Sequence, residues 1–302
     1  MKRIYPWLLS VLLLMGTGFL FLGCSEKTAA VQIAAKDFTE QYILGEMLKI
    51  LVEENTGYNV ELSSGIAGET SIIMPAMEKG DFDLYPEYDS TAWMTVLKEP
   101  KLHNTEEMHQ KLQEEYSRRY DMQWLGYYGF DNTYSIAVRR ETAEKYHLKT
   151  CSDLADAANQ LIFGAGYEFF EREDGYDGFQ ELYGFDFKEI KEMNLSLKYN
   201  ALLDGQVDVI TIYKTDGRME NPDLVELEDD KNYFPPAMGG TVIRGETLEK
   251  YPELEETLSR LNGQISNEEM RAMNAAVDLG GEDPKAVAAE FLRKKGLIPD
   301  EQ

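Results

Sequence analysis

The stretch VQIAAKDFTEQYILGEMLKILVEEN, residues 31–55, introduces the pattern that the rest of the chain follows. Residues 31–35 form a short apolar run that predicts a strand, and residues 39–54 repeat apolar side chains at helical spacing. The alternation continues in three further expected elements, a strand at 60–63, a helix at 71–79 and a strand at 81–85. This order of strands and helices predicts a parallel sheet flanked by helices, which is the α/β class.

A second group of elements follows later in the chain. Strands are expected at 134–139, 161–165 and 207–213, with helices that begin near 152 and 200. Three further helices are expected at the end of the chain, at 247–262, 266–279 and 284–295. The sequence therefore predicts two α/β lobes, the first completed by the C-terminal helices. Ligands of such sheets bind at strand ends, which here means the cleft between the lobes.

The charge of the chain excludes one class of partner. The 302 residues carry a formal net charge of −25, and the acids are spread along the chain. Nucleic-acid binding requires a basic patch or stripe, so we expect no nucleic-acid partner. An acidic surface repels anions and mildly favours cations. The alternative is that the charge only keeps an exposed protein soluble.

The N-terminus carries a processing signal. Lys2 and Arg3 precede an apolar run over residues 7–22, and polar sequence begins directly after Cys24. This pattern predicts a secretory signal peptide over residues 1–23 rather than a membrane span. It resembles a bacterial lipoprotein signal, which implies lipidation of Cys24, a tether over residues 24–30 and a place at the outer face of the cell membrane. Ordinary cleavage without a lipid is the alternative.

Motifs for catalysis or metal binding are absent from the sequence. There is no CxxC, HxxxH, GxSxG or phosphate-binding glycine loop. We therefore expect no catalytic residue, no metal and no cofactor, and we expect Cys151 to be a free, partly buried thiol. Glu87 and Asp89 could serve a secreted hydrolase, but helix capping and surface exposure are the simpler expectation, with Asp89 or Ser90 as the cap.

Tyrosine is abundant, with 18 residues in the chain. Several tyrosines stand at expected strand ends: Tyr85, Tyr88, Tyr134 and Tyr213. Aromatic faces gathered around one point attract a cation that cannot accept or donate hydrogen bonds, such as a quaternary ammonium group. For any single tyrosine, packing in a core is the alternative.

Four segments together resemble a known family: AAKDFTEQYILGEML (34–48), GDFDLYPEYDSTAW (80–93), FDNTYSIAVR (130–139) and YNALLDGQVDVITIYKTDGRM (199–219). They are similar to the substrate-binding proteins of ABC importers for glycine betaine, carnitine, choline and related osmoprotectants. The resemblance implies a two-lobed type II periplasmic-binding-protein fold that closes on its ligand. Lobe 1 would comprise residues 31–133 and 235–302, and lobe 2 residues 134–234, with hinges near 131–133 and 231–232.

The same motifs imply roles for individual residues. The tyrosines that end YPEY, close NTY and open the Y-x-TDG motif would line an aromatic cage: Tyr88, Tyr134 and Tyr213. Polar contacts to the ligand are implied for Gln41 of FTEQ, for Thr91, which follows YPEY by three positions, and for Asn132 of NTY.

One position departs from the family pattern. Relatives often carry a further cage tyrosine after the double proline, where this chain has Ala237. We expect a cage of three rings, a substitute ring from Phe234, Tyr233 or Tyr167, or a larger ligand such as the ring-bearing betaine ergothioneine.

The resemblance implies a lipid-anchored extracytoplasmic receptor that is not an enzyme. It would capture a quaternary ammonium compound and deliver it to an ABC permease with its ATPase. A sensory binding module and, further off, the secreted hydrolase are the alternatives.

Overall fold

The computed structural model describes residues 30–172, 174–194 and 197–300. The expected signal peptide and Cys24 lie outside the described residues. Within the described ranges the chain forms ten strands: β1 Val31–Lys36, β2 Val60–Ile66, β3 Leu84–Tyr88, β4 Met122–Asp131, β5 Tyr134–Arg139, β6 Ile162–Ala165, β7 Glu189–Glu192, β8 Val209–Tyr213, β9 Leu224–Leu227 and β10 Met238–Arg244.

The helices of the described residues are mostly short. They are α1 Thr39–Thr56, α2 Thr70–Lys79, α3 Thr105–Tyr120, α4 Arg140–Tyr146, α5 Cys151–Ala157, α6 Tyr167–Glu171, α7 Tyr176–Tyr183, α8 Lys198–Leu203, α9 Gly245–Lys250, α10 Glu253–Ser259, α11 Asn267–Asp278 and α12 Pro284–Lys294. Two 3₁₀ turns, Ala158–Gln160 and Gly217–Glu220, and a helical segment at 89–96 complete the set. That segment begins as an α-turn, Asp89–Thr91, and continues as a π-helix, Ala92–Val96.

The strands form two sheets, which confirms the predicted α/β class. The first has the order β2-β1-β3-β10-β4, and the second has the order β7-β6-β8-β5-β9. Only part of each sheet is parallel, since β10 runs antiparallel to β3 and β4, and β5 runs antiparallel to β8 and β9. The prediction of a parallel sheet, made from β1, β2 and β3, is confirmed for those strands. It missed β10, which brings the chain back from the second sheet into the first.

Each sheet has apolar cores of its own, and the two resulting units are the lobes of the protein. On the first sheet, α1 and the C-terminal helices α10–α12 cover one face, while α2, the 89–96 segment and α3 cover the other. The second sheet is covered by α5 and α7 on one side and by α8 on the other. Sheets buried on both faces favour the continuous apolar runs that mark β1 and β8 in the sequence.

Two of the boundaries that differ from the sequence prediction involve a proline. β3 continues through Pro86 to Tyr88, although a strand end was expected at Tyr85. Proline cannot donate a backbone hydrogen bond, but β1 pairs with β3 only at Leu84, so the missing donor interrupts no ladder on that side. The long helix expected at 247–262 is divided into α9 and α10 around Tyr251 and Pro252, because proline disfavours helix at the residue before it.

The chain crosses between the sheets at residues 131–134 and again before β10. The two crossings are hydrogen-bonded to each other: Asn132 N–H donates to the Ala237 carbonyl at 2.9 Å, and Ala237 N–H donates to Asp131 Oδ1 at 2.8 Å. The ends of β3 and β8 and the start of β5 meet beside these crossings. The fold thereby brings Tyr88, Tyr213 and Tyr134 towards one region.

Glu87 and Asp89 were expected as caps or surface charges, and this was wrong, since both are buried. Glu87 forms an ion pair with the buried Lys36 and accepts hydrogen bonds from Thr70 Oγ1 at 2.6 Å and Tyr88 N–H at 2.7 Å. Asp89 is the first residue of its helical segment rather than the cap, and its carboxylate accepts from Met238 N–H at 2.8 Å and Tyr127 Oη at 3.0 Å. These acids join β3 to its neighbours.

The Lys36–Glu87 pair predicts a large stability effect. Glu87→Gln leaves the buried Lys36 ammonium without its counter-ion, so the free energy of unfolding should fall by about 3–5 kcal/mol in urea titrations. Glu78→Gln, at an exposed position of α2, should change it by less than about 0.5 kcal/mol. Adding Lys36→Met to Glu87→Gln should recover part of the loss. A single variant as stable as wild type would contradict this account of the pair.

Candidate functional site

A cavity of about 380 Å³ lies where the ends of β3 and β8 and the start of β5 meet, and we call it the main cavity. Both lobes contribute to its lining. Four aromatic residues form one part of the wall: Phe38, Tyr88, Tyr134 and Tyr213. The three tyrosines that the sequence motifs single out therefore lie on one cavity, as their common position at strand ends predicts.

The rings are packed against one another. Phe38 stacks between Tyr88 and Tyr213, with ring centroids 6.3 and 6.1 Å away. Tyr134 lies 4.9 Å from Tyr213, and their hydroxyls are 3.3 Å apart. Sequence reasoning missed Phe38. The available signal was its place in the FTEQ motif, directly before α1, where a large aromatic residue outside the apolar face of the helix needs another surface to pack on.

Charged and polar side chains form the rest of the lining. The Arg172 guanidinium binds both oxygens of Asp174, at 2.7 and 2.8 Å, and its Nη1 donates to Thr91 Oγ1 at 3.3 Å. Lys36 and Lys98 also line the cavity. The cavity therefore has an aromatic part and a part that presents cationic and hydroxyl donors.

The expected polar residues occupy different positions. Thr91 and Asn132 line the main cavity. Gln41 is fully buried behind Tyr88, with Nε2 donating to Tyr88 Oη at 3.3 Å and Oε1 accepting from Lys36 N–H at 3.3 Å. In this arrangement Gln41 holds the tyrosine rather than facing the cavity. A ligand contact stays a prediction for all three residues.

Ala237 lines the main cavity. Tyr233 and Phe234 were possible substitutes for the missing ring, but both are buried in the core of the second lobe and neither belongs to the described lining. Tyr167 does line the cavity, and its side chain is 59% exposed, as expected for a residue at the rim. The small side chain at 237 thus leaves that part of the wall open.

A buried carboxylate, Glu40, lies directly behind the aromatic wall. Its Oε1 accepts from Tyr88 Oη at 2.6 Å and from Asn132 Nδ2 at 2.8 Å. Its Oε2 accepts from Thr215 Oγ1 at 2.6 Å and from Asn274 Nδ2 at 3.1 Å. Burial raises the pKa of Glu40 from 4.5 to about 7, although these hydrogen bonds act in the opposite direction.

Two other carboxyls near the cavity are perturbed in the same direction. Burial raises the pKa of Asp89 to about 7 against the effect of its hydrogen bonds. Burial also raises the pKa of Glu69 to about 7, with Lys36 opposing the shift and the neighbouring Glu168 adding to it. With a pKa of about 7, each of these acids is partly protonated and partly ionised at neutral pH.

Other candidate chemistry finds no support in the described part of the chain. No group of three or more His, Cys, Asp or Glu side chains there could hold a metal ion. Cys151 is buried and free, and burial raises the pKa of its thiol. None of the helices described is long and apolar enough to cross a bilayer.

Comparison with known proteins identifies the family. Residues 29–294 match the family described as the substrate binding domain of ABC-type glycine betaine transport system, and the chain belongs to this family. Its members are extracytoplasmic components of transport systems rather than enzymes. The resemblance inferred from the sequence motifs is thereby confirmed.

Individual relatives cover most of the chain. The carnitine transport binding protein of Listeria monocytogenes is 38% identical over 306 residues, covering 99% of both chains. The ergothioneine transport permease/ergothioneine binding protein of Helicobacter pylori is also 38% identical, over 98% of this chain, which spans only 53% of that protein. A crystal structure of a glycine betaine/carnitine/choline ABC transporter has a TM-score of 0.75 and 36% identity, and covers 89% of this chain and all of its own. The two-lobed fold is therefore confirmed.

Glu40 predicts how stability depends on pH. Its pKa is higher in the folded state than the usual 4.5, so the folded state binds this proton more tightly. The resulting stabilisation is complete below about pH 4.5 and is lost as the pH rises through about 7, on the order of 3 kcal/mol in all. The glutamine of Glu40→Gln is always neutral. In urea titrations, the free energy of unfolding of this variant should therefore fall less than that of wild type between about pH 5 and pH 8.

The matched control for this experiment is Glu54→Gln, at an exposed position of the same helix. It should keep the wild-type pH dependence. An unchanged slope in Glu40→Gln would mean that Glu40 does not titrate in this range.

Proposed function

We propose that this chain is the solute receptor of an ABC importer and that it binds a quaternary ammonium compound in the main cavity. The observation that carries the proposal is the aromatic wall of Phe38, Tyr88, Tyr134 and Tyr213 around one cavity. A quaternary ammonium group has no hydrogen to donate, so hydrogen-bonding sites cannot select it. Aromatic faces can, with about 0.5–2 kcal/mol for each well-placed ring.

The polar part of the cavity supports a ligand with an anionic end. Arg172, Lys36 and the Thr91 hydroxyl line the same cavity as the rings, and each can donate to a carboxylate. A betaine carries both the quaternary ammonium and the carboxylate, whereas choline lacks the carboxylate. We therefore propose that betaines are preferred over choline.

The size of the cavity favours a ligand larger than glycine betaine. A volume of about 380 Å³ holds about a dozen water-sized heavy atoms at roughly 30 Å³ each. Glycine betaine has fewer heavy atoms, carnitine comes close to this number, and ergothioneine exceeds it. The Listeria relative named for carnitine and the Helicobacter relative named for ergothioneine are equally identical to this chain. Carnitine is our first candidate, and a larger betaine is the second because Ala237 leaves room.

Binding would be coupled to closure of the two lobes. We assign residues 31–133 and 235–302 to lobe 1 and residues 134–234 to lobe 2, supported by the division of the strands between two sheets. Tyr88 belongs to the first lobe and Tyr213 to the second. A ligand that contacts both lobes favours the state in which they are close, and this closed state would be the form that a permease recognises.

Attachment to the membrane is proposed from the sequence alone. The apolar run at 7–22 and the Gly23-Cys24-Ser25 junction support cleavage before Cys24 and lipidation of that cysteine. The lipid would hold the receptor at the outer face of the cell membrane beside its permease and ATPase.

Calorimetric titration of the soluble chain tests the proposal. We expect carnitine and glycine betaine to bind, choline to bind more weakly, and glutamine, an amino acid without a quaternary nitrogen, not to bind. Tyr213→Leu should weaken carnitine binding by about twofold to thirtyfold, because it removes a ring from the wall. Tyr146→Leu, at a half-buried tyrosine of the same lobe outside the cavity, should leave the affinity unchanged.

Failure of every quaternary ammonium compound to bind the folded wild-type protein would refute the proposal. Equal affinities for Tyr213→Leu and wild type would refute the role of the aromatic wall.

Ala237→Tyr tests the size argument. The new ring would fill the open part of the wall, so glycine betaine should bind more tightly and ergothioneine more weakly, each by several-fold in the same titrations. The ratio of the two affinities is the quantity to compare with wild type. An unchanged ratio would show that position 237 does not influence ligand size.

A further inference from the structure

Each of the three wall tyrosines has a cation near its ring. Lys36 Nζ lies 5.1 Å from the Tyr88 centroid, the Arg172 guanidinium 5.8 Å from that of Tyr134, and Lys198 Nζ 5.1 Å from that of Tyr213. Lys36 is ion-paired with Glu87, and Arg172 is ion-paired with Asp174. Lys198 differs, since its ammonium makes neither a hydrogen bond nor an ion pair with any residue that the structure describes.

Lys198 lies against the Tyr213 ring but does not line the main cavity. A second cavity of about 400 Å³ opens there, with Lys198, Glu40, Thr215 and Asp278 in its lining. Tyr213 lines both cavities, whereas Lys198 lines only the second. The Lys198 side chain is only 3% exposed. A buried ammonium and the space proposed for the ligand cation therefore both adjoin the Tyr213 ring.

The charged groups around Lys198 are engaged with other partners. Asp216, in the turn after β8, accepts the Arg218 N–H at 3.2 Å, and Asp278 of α11 accepts from Thr39 Oγ1 at 2.6 Å. Arg218 lies 3.8 Å from Asp278, and Glu40 of α1 has four donors of its own. Asp37 accepts from Tyr42, and within α8 the Tyr199 ring lies 5.4 Å from Lys198 Nζ.

We propose that Lys198 tunes the affinity of the main cavity for a cation through the ring of Tyr213, so that ligand binding is linked to deprotonation of Lys198. The inference rests on the proposed function, because it requires a cation in the main cavity. A charged Lys198 repels that cation and competes with it for the electron-rich ring. A neutral Lys198 does neither.

Burial lowers the pKa of Lys198 to about 8, with Asp216 opposing the shift and Arg218 adding to it. The ammonium is therefore mostly charged at neutral pH and becomes neutral in mildly alkaline solution. A ligand cation lowers the pKa further, so binding near pH 8 should release a fraction of a proton. By reciprocity, affinity should rise as Lys198 loses its proton.

The size of the effect follows from Coulomb's law. The ammonium lies 5.1 Å from the centroid, and a ligand cation bound within about 6 Å of the opposite face would be roughly 10 Å away from it. Repulsion at that distance weakens binding by about twofold if the dielectric is water-like and by about fifteenfold at an effective dielectric constant of about 20.

The experiment compares three proteins by calorimetry with carnitine as the probe. Lys198→Met removes the charge, and it should bind about twofold to fifteenfold more tightly than wild type at about pH 7. The two affinities should converge above about pH 9, where wild type is also neutral at this position. Lys198→Arg keeps its positive charge at all of these pH values, so its affinity for carnitine should still be low at about pH 9.5.

Proton release provides a second readout that packing changes would not alter. Titrations near pH 8 in buffers of different ionisation enthalpy should show proton release by wild type and less by Lys198→Met. Lys145→Met is the matched control, because Lys145 lies 4.7 Å from the Tyr146 ring at an exposed position away from both cavities. It should behave as wild type. The difference between variants also removes contributions that they share, such as those of Glu40, Glu69 and Asp89, whose pKa values burial raises to about 7.

Two results would overturn the inference. One is an affinity ratio between Lys198→Met and wild type that stays constant from about pH 7 to pH 9.5, and the other is a Lys198→Arg profile parallel to that of wild type. Failure of the proposed function has a different signature, since wild type itself would then show no carnitine binding at any pH, and this inference would fall with it.

Discussion

The buried carboxylate of Glu40 is the interaction on which the site depends. It joins four segments that are far apart in sequence: β3 through Tyr88, the crossing through Asn132, the end of β8 through Thr215, and α11 through Asn274. A buried acid is costly unless its oxygens are hydrogen-bonded, and here each oxygen has two donors. Tyr88 owes its orientation to this group, because its hydroxyl is held by Glu40 and Gln41 while its ring faces the cavity.

Glu40 also joins the lobes beside a close backbone contact. Thr215 and Gly217 follow β8 of the second sheet, and α11 packs on the first sheet. A Cβ atom at position 217 would lie 2.2 Å from the backbone nitrogen of Ala275, so only glycine permits this approach. The contact brings Thr215 within reach of both Glu40 and Asn274. In this conformation, the backbone contact and the buried carboxylate thus hold Tyr88 close to Tyr213, although the two residues come from different sheets.

The sequence was informative where one local rule decides the structure. Apolar periodicity located β1, α1, β5 and β8, and the strand-end tyrosines follow from those elements. The sequence was misleading where contacts between residues distant in the chain determine how a side chain is placed. Glu87 and Asp89 read as surface acids because their partners, Lys36 and Met238, are remote in sequence. Phe38 was missed for the same reason. It packs against Tyr88 and Tyr213, and these residues come together with it only when both sheets have formed.

The ion pairs of the buried cations reconcile their position near the rings with the proposed binding of a ligand cation there. Two of the three cations near the rings are neutralised by Glu87 and Asp174, so they stiffen the wall and offer hydrogen-bond donors while adding little net positive potential. A cation can therefore approach the tyrosines of a chain with a net charge of −25 without meeting strong repulsion from that side. The Lys36–Glu87 pair also holds β1 to β3, and Arg172 also joins the α6–α7 connection to Thr91. The proposed selectivity of the wall and the stability of the lobes therefore depend on the same residues. Such a site is difficult to alter without destabilising the fold. We therefore expect that substitutions at Ala237 or Lys198, which take part in neither ion pair, change the affinity at a smaller cost in stability.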